Sequence, residues 1–152
     1  MGYSFQRDTV NDWLADASDE EEPPVLDKSG QCLVMVGEQV GLAICVPETS
    51  DRVYLYADVL AVPEERCAEF YEQLLAYNAM PEVALGLVLA FDRDARSVVA
   101  SYSTEITSID TVDFRNILGN MSSAVLSLRL KLNAMQREHP DQQDRPPLFT
   151  LA

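Results

Sequence analysis

The clearest hydrophobic period lies toward the C-terminal end of the chain. Phe114, Ile117, Leu118, Met121, Val125, Leu128, Leu132 and Met135 recur every three or four residues. That spacing predicts a long amphipathic helix with one continuous apolar stripe. Ser108 or Asp110 is placed to cap its start. Gly119, in mid-helix, costs about 1 kcal/mol against alanine, and close contact with a sheet is the expected reason for it. Leu126 and Leu130 fall off the stripe and are exposed if only one face packs. A second helical stretch lies between Pro63 and Pro81, where Cys67, Phe70, Tyr71, Leu74 and Asn78 share a face. Pro63 suits a first helical position. Glu64 and Glu65 sit at the positive end of the dipole, and Pro81 disfavours helical geometry at Met80. A third helix is predicted over residues 3–17, with Tyr3, Val10, Trp13, Leu14 and Ala17 on its stripe and Phe5 off it.

Between the helices the period drops to two. Residues 32–36, 40–46, 52–60, 83–91 and 97–106 read as strands. Gly37-Glu38-Gln39 links the first two as a hairpin, and residues 47–51 and 92–96 make turns. The second strand is lopsided: Val40, Leu42, Ile44 and Val46 point one way, and the small Gly41, Ala43 and Cys45 the other. Such a small face would let a helix approach closely. The first strand has large apolar side chains on both faces, with Cys32, Val34 and Val36 opposite Leu33 and Met35. An antiparallel strand usually has one wet face, so either this strand is sandwiched or one face is a docking surface. Residues 18–24 (SDEEEPP) break the pattern and read as a solvated linker.

The order is helix, three strands, helix, two strands, helix. Short hairpin-linked strands imply an α+β domain with a mainly antiparallel five-stranded sheet and three helices, αβββαββα. Residues 1–138 form a single domain, and residues 139–152, polar and proline-broken, form a tail expected to be flexible.

Composition narrows the function classes. A chain of 152 residues supports one domain with a real core. Its net charge of −14 argues against nucleic acid and against anionic membrane surfaces, which need Lys/Arg neutralisation. No apolar run reaches transmembrane length, so no membrane insertion is expected. Cys32, Cys45 and Cys67 are widely spaced, without a Cys-x-x-C, and suggest core residues of a reducing, cytoplasmic compartment. The single histidine, His139, lies in the tail, and the scattered glycines form no phosphate-binding loop. Asp92-Arg-Asp94 lacks the glycine and glutamate of a calcium loop. No catalytic residue, metal site or cofactor is expected. A carboxylate-only enzyme would need two convergent acids, and nothing in the sequence places two together.

Apolar surface, in contrast, is in excess. The first and fourth strands are apolar on both faces, and Ala68, Leu75 and Ala79 flank the stripe of the central helix. Monomers rarely leave such patches bare. A symmetric dimer would bury one, and a protein ligand could use another, including by adding a strand to a free edge.

LYADVLAVP (55–63) followed by LLAYNAMPEVALGLVLAFDRDARSVVASYSTEI (74–106), with the leucine-rich final helix, resembles the class I chaperones of type III secretion, the Tir-chaperone (CesT-type) family. The resemblance runs over about residues 3–138. It implies a cytosolic homodimer without catalytic activity. Such a chaperone binds the N-terminal segment of a secreted virulence effector, keeps it soluble and non-globular, and presents it to the secretion apparatus, whose ATPase is a further partner. By position it implicates Tyr71, Leu74, Leu75, Tyr77, Asn78, Leu85 and Leu87 in the dimer interface. It also implicates Phe5, Val10, Trp13, Leu33, Met35, Leu42 and Ile44 in effector binding. The alternative is a YbjN-like regulatory or sensory protein-binding domain of similar fold with no effector client. The acidic linker looks longer than the family minimum, and the tail has no clear family pattern.

Overall fold

A computed structural model describes residues 3–138, so the expectation for the 139–152 tail lies outside the described residues. The elements run α1 (Tyr3–Ala17), β1 (Gln31–Val36), β2 (Val40–Cys45), β3 (Arg52–Ala61), α2 (Cys67–Asn78), α3 (Pro81–Ala84), β4 (Val88–Asp92), β5 (Ser97–Glu105) and α4 (Thr111–Glu138). The five strands form one sheet in the order β1-β2-β3-β5-β4, with every neighbouring pair antiparallel. The architecture is α+β, as the periodicity predicts.

Alternation divides the sheet into two unlike faces. On one, Val40, Leu42, Ile44 and Val46 join Val53, Leu55, Ala57, Leu89, Val98 and Ala100 in the core. The helices supply Val10, Trp13, Leu14, Phe70, Leu74, Phe114, Leu118, Met121, Val125, Leu128 and Leu132 to the same core. The Trp13 and Phe114 rings, 5.3 Å apart, join α1 to α4. All the long helices thus lie over one side of the sheet. The small face of β2 is not the helix-facing one, contrary to expectation. α4 packs on the large branched side chains, because only they remove enough apolar area from water.

Two arginines pin this layer down. The Arg7 guanidinium donates to the carbonyls of Val46 (3.1 Å), Lys28 (3.2 Å) and Ser29 (3.2 Å), tying α1 to the approach to β1. Gly30, at φ 78°, makes room: a side chain there would collide with the Val46 carbonyl and with Arg7. Arg129, on α4, donates to the carbonyls of Val59 (2.9 Å), Gln39 (2.8 Å) and Asp58 (2.8 Å). It thereby holds the β1–β2 turn and the place where the β3–β5 register slips, between Asp58 and Leu60. Asp110 caps α4, accepting from the Asp113 N–H at 2.9 Å, while Asp113 accepts from the Asp110 N–H at 3.1 Å.

Three local expectations are corrected. The stretch between Pro63 and Pro81 is not one helix. It opens with a 3-10 turn (Glu64–Arg66), and α2 ends at Asn78. Pro81 then takes the first position of a separate short helix, α3, where its missing N–H costs nothing. The strand predicted from residue 83 therefore starts only at Val88. Leu85 (φ 57°) and Gly86 (φ 80°) adopt left-handed backbone, which ends α3 and breaks the alternation. Gly119 is exposed, and no atom of another element lies within 4 Å of where an added methyl would stand, so contact with the sheet does not explain it. Leu126 packs partly against the core, whereas Leu130 is exposed.

Candidate protein-binding surfaces

The second face of the sheet is open. Strand register aligns Leu33, Ala43, Tyr56, Ser101 and Val88 in one row across all five strands. Beside it lie Met35 and Gly41 on one flank, and Cys45, Tyr54 and Ser103 on the other. Leu33 is 68% exposed and Met35 57%. β1 is therefore not sandwiched. The central row carries no ionised side chain; such groups lie on or beyond its flanks. Arg52 pairs with Glu105 at 3.7 Å at one end, and Asp58, accepting from the Ser97 hydroxyl at 3.1 Å, stands at the other with Asp92.

Along β2 the band forms a trough. Gly41, Ala43 and Cys45 make the floor. Leu33 and Met35 form one wall and Tyr54 and Tyr56 the other, two strand spacings apart, or about 10 Å. The β1 wall leans inward, because a Cβ on Gly41 would touch Met35 Sδ at 3.4 Å and Leu33 Cδ1 at 3.6 Å. Cys45 on the floor and Tyr56 on the wall stay neutral at physiological pH. Burial pushes the Cys45 thiol up, with Asp27 adding and Arg7 opposing, and burial raises the Tyr56 hydroxyl, helped by Cys45 and Tyr54. The surface offers apolar contact and hydroxyls rather than charge.

The two sheet edges differ. On β1 the Val46 N–H donates to the Gly30 carbonyl, so antiparallel alternation turns the backbone groups of Gln31, Leu33 and Met35 outward. Asp27 takes care of Gln31: its N–H donates to the Gln31 carbonyl at 2.8 Å, and its carboxylate accepts from the Gln31 N–H at 3.0 Å. On β4 the outward groups belong to Leu87, Leu89 and Phe91. The Asn78 carboxamide, at the end of α2, donates to the Leu89 carbonyl and accepts from the Leu89 N–H, both at 2.8 Å.

Apolar side chains are also exposed on α2 and just after α3: Leu75 is 69% exposed, and Leu85 is exposed too. Leu85 projects from left-handed backbone, an uncommon place for a branched apolar residue.

These placements divide the residues that the family resemblance implicates. Of the effector set, Phe5, Leu33 and Met35 are exposed. Val10, Trp13, Leu42 and Ile44 are buried in the core, Val10 and Trp13 from α1 and Leu42 and Ile44 from β2. Of the dimer set, Leu75 and Leu85 are exposed. Leu74 and Leu87 are buried within the chain itself. Tyr71 packs against Phe91 with the rings tilted by 60° and their centroids 5.1 Å apart, and the Tyr77 hydroxyl donates to Met135 Sδ at 3.0 Å. Tyr54, Tyr56, Ala43, Gly41 and Val88 are absent from the expected contact residues. Carrying the parity of Leu33 and Met35 through the turns to β2 and β3 would have found Gly41, Ala43, Tyr54 and Tyr56; Val88 needs the β3–β5 register as well.

The sequence matches the Tir chaperone protein (CesT) family over residues 21–129, most of its length. The chain belongs to that family. The match spans the whole sheet and most of α4, and begins after α1. A comparison with curated proteins finds no match. Among solved structures, this CesT-family chain is similar to one in the HopA1–SchA chaperone–effector complex. The TM-score is 0.67 at 18% identity, over 85% of this chain and 96% of that one. A chain of the ExsC–ExsE complex gives 0.67 at 23% identity, over 82% and 94%. One from the ExoU–SpcU complex of the type III secretion system of Pseudomonas aeruginosa gives 0.58 at 16%, over 83% and 96%. At such identities these likenesses establish a shared fold.

Proposed function

We propose that this chain is a chaperone of type III secretion that binds the N-terminal segment of an effector and keeps it soluble and non-globular before export. The observation that carries this reading is the open sheet face. A row free of ionised side chains crosses five strands of a CesT-family chain whose net charge is −14. A strongly acidic body holds an apolar client in solution, while the uncharged row gives the client somewhere to lie. Phe5, Leu33, Met35, Tyr54 and Tyr56 are the contact residues of this reading, and the outward backbone of Leu33 and Met35 offers pairing to an extended segment. No catalysis is required. The chain works in the cytoplasm, and the secretion apparatus ATPase is the expected recipient of the loaded complex.

The same reading makes the chain a homodimer, with Leu75 and Leu85 as its contact residues. Leu75→Asp should leave the fold intact and shift sedimentation toward the 16.9 kDa monomer. A variant that remains as associated as the parent would misplace the interface. Leu74→Asp is not an equivalent test, because it buries a charge in the core.

Effector binding is tested by co-purification from the native host, followed by binding of the recovered secreted protein's N-terminal segment. Leu33→Asp with Met35→Asp should weaken that binding tenfold or more, about 1.4 kcal/mol, without loss of fold. Recovery of no secreted protein, or binding indifferent to both substitutions, would favour a regulatory domain without a client.

A further inference from the structure

We infer that Asn78 decides which edge of the sheet accepts a strand: it occupies the outward backbone of β4 at Leu89 and confines strand addition to β1. The inference rests on the proposed pairing of an extended client segment with the sheet. An exposed edge is a template for any strand that reaches it, including that of another copy. This sheet has two edges, and they are treated differently. At β4, both outward groups of Leu89 are held by one side chain at 2.8 Å each, and the Leu87 N–H donates to the Ala84 carbonyl at 3.0 Å. At β1, Asp27 closes the edge only at Gln31, and the outward groups of Leu33 and Met35 follow, each beside its own exposed apolar side chain.

The residue type matters. A carboxamide is planar and has a donor and an acceptor in the arrangement of a peptide group, so Asn78 stands in for one unit of a sixth strand. Aspartate would accept from the Leu89 N–H but could not donate to its carbonyl, and alanine would do neither. The position matters as well. Asn78 is the last residue of α2, whose Phe70 and Leu74 are anchored in the core, so the carboxamide is delivered to the edge by a fixed helix. Leu89 itself keeps its side chain in the core, leaving its backbone as the part available for pairing.

A purely structural Asn78 would lower stability when replaced but would not change which strands meet. The two roles separate in Asn78→Ala and Asn78→Asp of the full chain, using the protein's own β4 as the available strand. Amide hydrogen exchange at Leu89, Leu33 and Met35 is read together with sedimentation over rising concentration. The Leu89 amide of the parent should be protected, and those of Leu33 and Met35 fast. In Asn78→Ala, Leu89 should exchange about tenfold faster in dilute solution. It should regain protection as species larger than the parent's accumulate with concentration. Asn78→Asp should keep the Leu89 amide protected yet still form larger species, because the freed carbonyl accepts a strand. Should Asn78→Ala not fold, Asn78→Asp decides. Unchanged Leu89 exchange in Asn78→Ala, or no larger species from the variants that fold, overturns the inference. No client enters this experiment, so failure to find an effector and failure of Asn78 as an edge guard are separate results.

Discussion

Leu85 combines two disadvantages, a left-handed backbone and an apolar side chain in water. Left-handed geometry costs an L-residue roughly 1–2 kcal/mol, which glycine avoids. Leu85→Gly should therefore raise the stability of the isolated chain by about 1 kcal/mol in denaturant unfolding while weakening self-association in sedimentation. Cys32 is a second residue with a measurable signature. Burial, with a smaller push from Asp27, raises its thiol to about 11 from 9.0. The folded chain holds this proton where the unfolded chain has lost it. Its contribution to stability is thus complete below pH 9 and declines as pH rises toward 11. Unfolding midpoints across that window should fall less steeply in Cys32→Ser than in the parent. Residue by residue, the sequence marks unusual positions but not their surroundings. Periodicity separates Gly41 and Ala43 from Leu42 and Ile44, yet which side the helices cover depends on where α4 lands, and no local pattern records that.

At the scale of elements, α4 illustrates both the reach and the limit of pattern reading. Its stripe from Phe114 to Leu132 is buried as the period requires. Gly119 does not belong to that contact, because a glycine says only that a side chain is absent, not why. With open space around it, Gly119→Ala should stabilise the chain by about 1 kcal/mol, measured as a shift in the denaturation midpoint. Residues 83–91 depart from expectation for a different reason. Their alternation is continuous on paper, but Pro81 favours a helical start and Gly86 permits the reversal that ends it. These two backbone preferences outweigh the hydrophobic pattern over the first half of the run. The second half, held by β5 and by Asn78, obeys it. The element order is legible because each element spans several periods. The join between α2 and β4 is not, because its one element, α3 (Pro81–Ala84), spans barely a single turn.

For the molecule as a whole, the decisive property is one-sidedness. All the large branched residues of β2 lie under α4, so the opposite face is left to small residues, tyrosines, the apolar Leu33 and Met35 of β1 and Val88 of β4. The sequence shows that apolar surface exceeds what three helices can cover. It does not show that the excess gathers on a single face, which follows only once strand order and register are known. The candidate contact residues drawn from the family resemblance divide accordingly: on the first two strands, those sharing the parity of Leu33 lie on the surface, and those sharing the parity of Ile44 in the core.

The inward turn of Arg7 and Arg129 has a consequence of another kind. Each guanidinium faces three backbone carbonyls, so among the described residues neither is spent on a carboxylate at the surface. The acidic exterior is left with little local compensation, and two copies that meet bring −14 each into one particle. Mutual repulsion then opposes the very contact that Leu75 and Leu85 favour. Added salt shortens the range of that repulsion to about 8 Å at physiological strength and about 3 Å at 1 M. Self-association measured by sedimentation should accordingly tighten as sodium chloride is raised, the reverse of an interface held by ion pairs.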